Sequence, residues 1–97
     1  MQARDQPAPK PERTPPNRVI DLLQADRTAL VAALGNPVLM RRENGGEVWL
    51  YAHANGCSID VVLFVNGGLM TVTHATTQTP AGFTEADCLH AIANIVP

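Results

Sequence analysis

Residues 26–37 read DRTALVAALGNP, and this stretch decides how the chain starts to fold. Asp26 precedes an apolar run, and its short carboxylate side chain suits the cap of a helix that begins there. Leu30 and Leu34 follow at the spacing of one helical turn, so they share a face. Gly35 readily takes the left-handed conformation that ends a helix, and the proline two residues later cannot continue one. The stretch therefore predicts a short capped helix with a sharp stop.

Beyond this stop the apolar pattern changes from a helical period to a period of two, which is typical of antiparallel strands. Glycine-containing turns follow at short intervals, at 44–46, 55–56 and 66–68. Asn-Gly pairs favour tight hairpins because both central residues need positive φ. The pattern predicts a four-stranded antiparallel meander with strands at Val38–Arg42, Val48–Ala54, Cys57–Val65 and Leu69–Thr76.

Helical patterns flank this meander on both sides. The apolar residues within 18–23 predict a second short helix before the capped one. Near the other end, Thr84 is followed three residues later by Asp87, the spacing of a capping box, and Cys88 and Ile92 then begin an apolar stripe. The predicted fold class is α+β, with two short N-terminal helices packed on a four-stranded antiparallel meander and a C-terminal helix.

Length and composition limit the domain organisation. The chain has 97 residues, and the first seventeen hold five of its eight prolines. We expect a disordered Pro-rich linker over residues 1–17 and a single domain over residues 18–97. The net charge of −2 lacks the basic surface that phosphate backbones require, so no nucleic-acid partner is predicted.

A family resemblance follows from the order of these elements. The capped helix, the stop Leu34-Gly35-Asn36-Pro37, a strand and then Trp49-Leu50-Tyr51 resemble the SmpA/OmlA (BamE-like) outer-membrane lipoproteins, within the wider group of beta-lactamase-inhibitor-like folds. The resemblance covers roughly residues 20–75. In that family Asp26 would hold the place of a hydroxyl cap, Leu30 that of a buried valine, and Trp49 and Tyr51 those of the sheet aromatics.

The resemblance implies a function without catalysis. A domain of this family would be periplasmic and tethered to the outer membrane by a lipid on a cysteine upstream of this chain. It would serve as an adaptor or structural component of the envelope through contacts with other envelope proteins. Two alternatives stay open: a secreted or periplasmic inhibitor-like module that blocks an enzyme through its sheet face, and a small ligand carrier or enzyme with an apolar pocket lined by Trp49 and Tyr51.

The two cysteines, Cys57 and Cys88, are both placed towards the layer between helix and sheet by the predicted elements. The two residues can form a disulfide if the protein is exported, and the alternative is that both remain buried free thiols. Closing the intervening loop would stabilise the fold by roughly 3 to 4 kcal/mol.

Other chemistry has weak support in the sequence. The three histidines, His53, His74 and His90, and the two cysteines include donor types for zinc, but no Cys-x-x-Cys is present, and Cys88 and His90 point apart on the predicted helix. Ser58 and Asp60 share a strand face without a Gly-x-Ser-x-Gly elbow. We therefore predict no catalytic, cofactor-binding or metal-binding residues and no small-molecule substrate.

Recognition by surface remains, and four residues are candidates for partner contact: Arg41, Arg42, Trp49 and Tyr51. The first predicted strand, which ends with Arg41 and Arg42, would accept a partner's strand or meet an acidic surface, or its two arginines simply keep an exposed edge from aggregating. The aromatic pair would either contact a partner or fill the small core.

Overall fold

A computed structural model of the protein describes residues 15–94. The linker predicted for residues 1–17 lies outside the described residues except at its last three positions, so its predicted disorder stays a prediction. The described part contains one antiparallel sheet, one helix before it in the chain and one helix after it. It is therefore an α+β arrangement in which the strands are central along the chain and the helices flank them.

The sheet is a meander in which each strand pairs with the next one along the chain, in the order β1-β2-β3-β4. Every pairing is antiparallel, and a register shift at Val62/Leu63 marks a bulge between β3 and β4. The strand bounds are β1 Leu39–Glu43, β2 Gly46–Ala52, β3 Ser58–Asn66 and β4 Leu69–Gln78.

Residues with positive φ close the hairpins. Asn44 at φ 51° and Gly45 at φ 83° form a two-residue turn between β1 and β2, and Gly67 and Gly68 do the same between β3 and β4. These turns twist in the sense that flanking strands need, which is why they favour Asn and Gly. Between β2 and β3 the side chain of Asn55 accepts a hydrogen bond from the backbone N–H of Cys57.

The fold class predicted from the sequence is wrong in its helices. Among residues 15–94 only one α-helix, α1 at Arg27–Leu34, precedes the sheet, and residues Val19–Leu22 form a short 3-10 turn instead of an α-helix. The reason is that backbone groups that a longer helix would use for its own hydrogen bonds are hydrogen-bonded to the sheet instead. The Gln24 N–H donates to the Val72 carbonyl, and the Val72 N–H donates to the Ala25 carbonyl, each at 2.8 Å.

Both α-helices begin at side-chain caps. Asp26 accepts from the backbone N–H of Ala29, and α1 ends at Gly35 with φ 85°. The second helix, α2, spans Glu85–Ala93 and starts with a full capping box between Thr84 and Asp87. The backbone N–H of Thr84 is the main reason that the pKa of Asp87 is lower than usual.

The core is one layer between the helices and one face of the sheet. Leu30 and Leu34 of α1 and Leu89 and Ile92 of α2 are buried there, together with Leu22 from the 3-10 turn. The sheet contributes the alternate residues Trp49, Tyr51, Ile59, Val61, Leu63 and Val72. Because all these side chains form one cluster, both helices cover the same face, and the other face is left open by the described residues.

Candidate functional site

The open face of the sheet carries an apolar stripe. Directly paired residues of an antiparallel sheet share a face, so the rows across the strands follow from the register. One row runs Leu39, Leu50, Asp60, Thr76, and the next runs Arg41, Val48, Val62, His74. The apolar members of these rows, with Phe64, form what we call the open-face stripe: Leu39, Val48, Leu50, Val62 and Phe64.

The stripe is accessible to a partner, although three of its five members are only partly exposed. Leu39 is 47% exposed and Phe64 is 39% exposed, while Val48, Leu50 and Val62 are half-buried. Phe64 reaches across the sheet above Gly46, where a Cβ would stand 2.6 Å from the ring carbon Cε1. Glycine at this position therefore lets the phenyl ring lie flat against the second strand.

Polar and charged side chains surround the stripe. Arg41 and Glu43 lie on the open face at the β1 end, with Arg41 Nε 3.2 Å from Glu43 Oε2. Asp60 and His74 lie on the same face on the side of β3 and β4, and both are exposed. An apolar centre with a polar rim is the usual anatomy of a protein-binding surface.

The two edges of the sheet differ. The edge at β4 is occupied near its start, because residues 24–26 pair with it around Val72. β4 also contains the bulge, and bulges blunt an edge. β1 pairs with β2 over all five of its residues without a register shift, and all five are exposed. Within residues 15–94, no segment pairs with the outer side of β1.

A buried carboxylate lies on the covered face beside this edge. Glu47 is 2% exposed, and its Oε1 accepts hydrogen bonds from Arg27 Nε and from Trp49 Nε1, each at 3.0 Å. Arg27 Nη2 also binds Glu47 Oε2, so the pair is bidentate. The hydrogen bond from Arg27 is the main reason that the pKa of Glu47 is below its usual value, and burial opposes this effect. Sequence analysis did not find this pair.

Arg42 lies opposite Glu47 in the register but is held only loosely. Its Nε is 3.9 Å from Glu47 Oε2, beyond hydrogen-bond distance, and its side chain is 81% exposed. No hydrogen bond of its guanidinium is found among the described residues. An open cleft of about 460 Å³ lies beside it, lined by Arg27, Arg42, Glu47, Met70 and the β1–β2 turn.

The two cysteines form the predicted disulfide, which is confirmed. The Sγ atoms of Cys57 and Cys88 are 2.06 Å apart, and the bond joins the residue just before β3 to α2. Both residues are fully buried in the core. The bridge therefore fastens α2 to the covered face of the sheet.

The aromatic candidates lie away from the open face. Trp49 is 4% exposed and donates to Glu47, and Tyr51 is 2% exposed and donates to the Gly35 carbonyl at 2.7 Å. Both rings are thus part of the core, the second of the two roles considered for them. Of the four residues named for partner contact, only Arg41 and Arg42 present exposed side chains.

No group of three metal-binding side chains is assembled among residues 15–94. The same part of the chain has no helix of the length and apolarity needed to cross a membrane.

Sequence analysis missed the open-face stripe as a candidate surface. Its signal was present in the alternation, because Val48 and Leu50 on β2 and Val62 and Phe64 on β3 are all at even positions. Both faces of these strands are apolar, whereas a sheet with one solvent-exposed face normally alternates apolar and polar residues.

Comparisons with protein-family models, curated proteins and solved structures give no match to this chain.

Proposed function

We propose that this protein is a non-enzymatic binding domain of the bacterial envelope, which acts as an adaptor or structural component by docking a folded envelope protein on the open face of its sheet. The observation that carries the proposal is the open-face stripe. Five apolar side chains lie together on a face that neither helix covers, and charged residues ring them. Contiguous exposed apolar surface of this kind marks interaction sites more often than scattered apolar residues do.

The disulfide supports an exported location. Bridges of this kind persist in oxidising compartments such as the periplasm and are rare in the cytosol. A domain of this size also has a small core, so a buried bridge contributes a large share of its stability. We propose the periplasm as the location, with the full-length protein tethered to the outer membrane as the resemblance implies.

Site-specific photo-crosslinking in cells of the source organism tests the docking surface. A photoreactive amino acid replaces Leu50 or Val62 on the stripe, and a matched control carries it at the exposed Thr28 of α1, away from the open face. We expect one discrete adduct with another envelope protein from the two stripe positions and none from Thr28. We also expect the substitution Leu50→Glu to abolish the adduct formed from position 62. Circular dichroism of this variant should show that the fold is retained.

Three outcomes contradict the adaptor function. Equal crosslinking from Thr28 and the stripe overturns the assignment of the surface, and an adduct with a second copy of the chain makes the stripe a homodimer interface. An adduct with an enzyme that the purified domain inhibits supports the inhibitor-like alternative, which uses the same face.

The compartment is tested separately by trapping thiols with an alkylating reagent during cell lysis. We expect both cysteines to be unreactive and the protein to appear in the periplasmic or outer-membrane fraction. Recovery of the protein in the cytosolic fraction with two alkylated cysteines contradicts the location.

A further inference from the structure

We propose that β1 binds an extended acidic segment of the partner protein, which joins the sheet as a fifth strand. This inference rests on the proposed function, because it specifies the chemistry by which that partner is engaged. It concerns the edge of the sheet, whereas the proposed function concerns the open face beside it.

The backbone of β1 provides the first argument. Alternate residues of an edge strand direct N–H and C=O groups away from the neighbouring strand, and these groups are a template for another strand. At β1 the template is regular, because its five residues pair with β2 without a bulge. At β4 the backbone at Val72 is already used by Gln24 and Ala25. Within the described part of the chain, the fold therefore covers one edge with its own backbone and leaves the other available.

The side chains of β1 supply the second argument. Leu39 lies on the open face next to Leu50, so an added strand can extend the open-face stripe with an apolar residue of its own. Arg41 lies on the open face, and Arg42 lies on the covered face. A partner strand that lies beside β1 thus meets a guanidinium on each face.

Charge selects an acidic partner. Within residues 15–94, five side chains bear charge around this edge, namely Arg27, Arg41, Arg42, Glu43 and Glu47, so this part of the edge has one positive charge in excess although the whole chain has a net charge of −2. The excess is concentrated at Arg42, because both carboxylates have closer arginine partners. A carboxylate from a neighbouring strand can pair with this guanidinium, and the cleft beside it has room for such a side chain.

The same charges argue against a second copy of this chain at the edge. A two-fold antiparallel pairing of β1 with itself over all five of its residues places the Arg41 side chains of the two copies directly across from each other. Like charges that lie across from each other destabilise a strand pair. The arginines therefore disfavour self-association and favour an acidic strand by one and the same mechanism.

The test uses synthetic peptides and the full chain labelled with ¹⁵N. The probe is a peptide of alternating valine and glutamate about seven residues long, a common strand length. Its controls are the alternating valine–lysine peptide and a valine–glutamate peptide interrupted by prolines, which cannot continue a strand. We expect the first peptide alone to shift the amide signals of Leu39–Glu43 and to slow their hydrogen exchange.

Charge reversal supplies the decisive variant. In the double variant Arg41→Glu, Arg42→Glu, we expect the valine–glutamate peptide to bind at least about tenfold more weakly and the valine–lysine peptide to gain binding. This gain separates a change of specificity from loss of fold. The control variant Arg18→Glu makes the same type of charge change before the 3-10 turn and should leave both affinities unchanged.

Several results overturn the inference. They are equal binding of the glutamate and lysine peptides, signal shifts confined to β4 or to the open face, and shifts at β1 that depend on protein concentration without peptide. If these appear while the stripe still crosslinks to an envelope protein, the edge inference fails and the proposed function stands. If the peptide binds β1 but crosslinking from the stripe fails, the docking proposal for the open face fails.

Discussion

The carboxylate of Glu47 on β2 is bound by the guanidinium of Arg27 on α1, and this bidentate pair joins the first helix to the sheet. Glu47 is buried and Arg27 is half-exposed, so the carboxylate depends on this partner for charge compensation. Trp49 adds a hydrogen bond from its indole N–H. The pair lies next to the proposed binding edge, where it keeps Glu47 from competing for Arg42.

Glu47→Gln should lower stability and flatten its dependence on pH. The pKa of Glu47 is lower in the folded protein than in the unfolded chain, chiefly because Arg27 donates to the carboxylate. Its contribution is therefore present above the unfolded value, near pH 4.3, and is lost as the pH falls through the folded value. We expect the variant to be roughly 2 kcal/mol less stable at neutral pH. When the pH is lowered below about 4, the variant should lose less additional stability than the unsubstituted protein does.

Urea denaturation across this pH range measures both effects. Glu43→Gln is the matched control, because Glu43 pairs with Arg41 on the surface and should change stability by less than about 1 kcal/mol. Superimposable curves for Glu47→Gln and the unsubstituted protein would show that the Arg27–Glu47 pair does not stabilise the fold.

Loss of the disulfide should cost about 3 to 4 kcal/mol, because the bond closes a loop with a sequence separation of 31 residues. For a domain of this length that corresponds to a fall in Tm on the order of 20 °C. Cys57→Ser should therefore melt well below the unsubstituted protein under oxidising conditions and close to it after both are refolded in reductant. An equal fall in Tm under oxidising and reducing conditions would show that the disulfide does not contribute to the stability.

Local signals in the sequence predict the elements that local chemistry determines. Asp26 and Gly35 mark the two ends of α1, the Thr84–Asp87 pair marks the start of α2, and Asn44-Gly45 marks the β1–β2 turn. Each of these depends on residues within a few positions of one another. The tight turn predicted at Asn55-Gly56 is wrong, because β2 ends at Ala52 and β3 begins at Ser58. The placement of the two cysteines on facing elements makes a bond between them possible, but two buried free thiols fit the same sequence, and only the structure shows the bond.

Long-range pairing explains what the sequence did not predict. The apolar pattern of 18–23 fits a helix, yet the pairing of the following residues with Val72 limits the segment to a 3-10 turn. Glu47 is buried because Arg27 reaches it from α1, and no local pattern marks that contact. The direction of Trp49 depends on which face of the sheet the helices cover, and both faces of its strand are apolar.

Gly46→Ala should destabilise the sheet by about 1 to 3 kcal/mol, through overpacking. The new methyl group would stand 2.6 Å from Phe64 Cε1 and 2.7 Å from the Leu63 carbonyl oxygen, so both the ring and the backbone must move. In a Phe64→Ala background the same substitution should cost less, because only the backbone contact remains. Thermal unfolding of the four proteins gives the coupling, and strictly additive costs would exclude a contact between Gly46 and Phe64.

Thr77→Val should stabilise the protein, in contrast to the other substitutions. Thr77 Oγ1 is buried without a hydrogen-bond partner in the described structure, and its neighbour in the register is the buried Ile59. Valine keeps the branched shape and removes the unpaired hydroxyl, so we expect a gain of about 1 kcal/mol in the free energy of unfolding. Thr76→Val, on the exposed face of the same strand, is the control and should stay within about 0.5 kcal/mol. A loss of stability in Thr77→Val would mean that the hydroxyl is paired in solution, with a water molecule held between the sheet and α2.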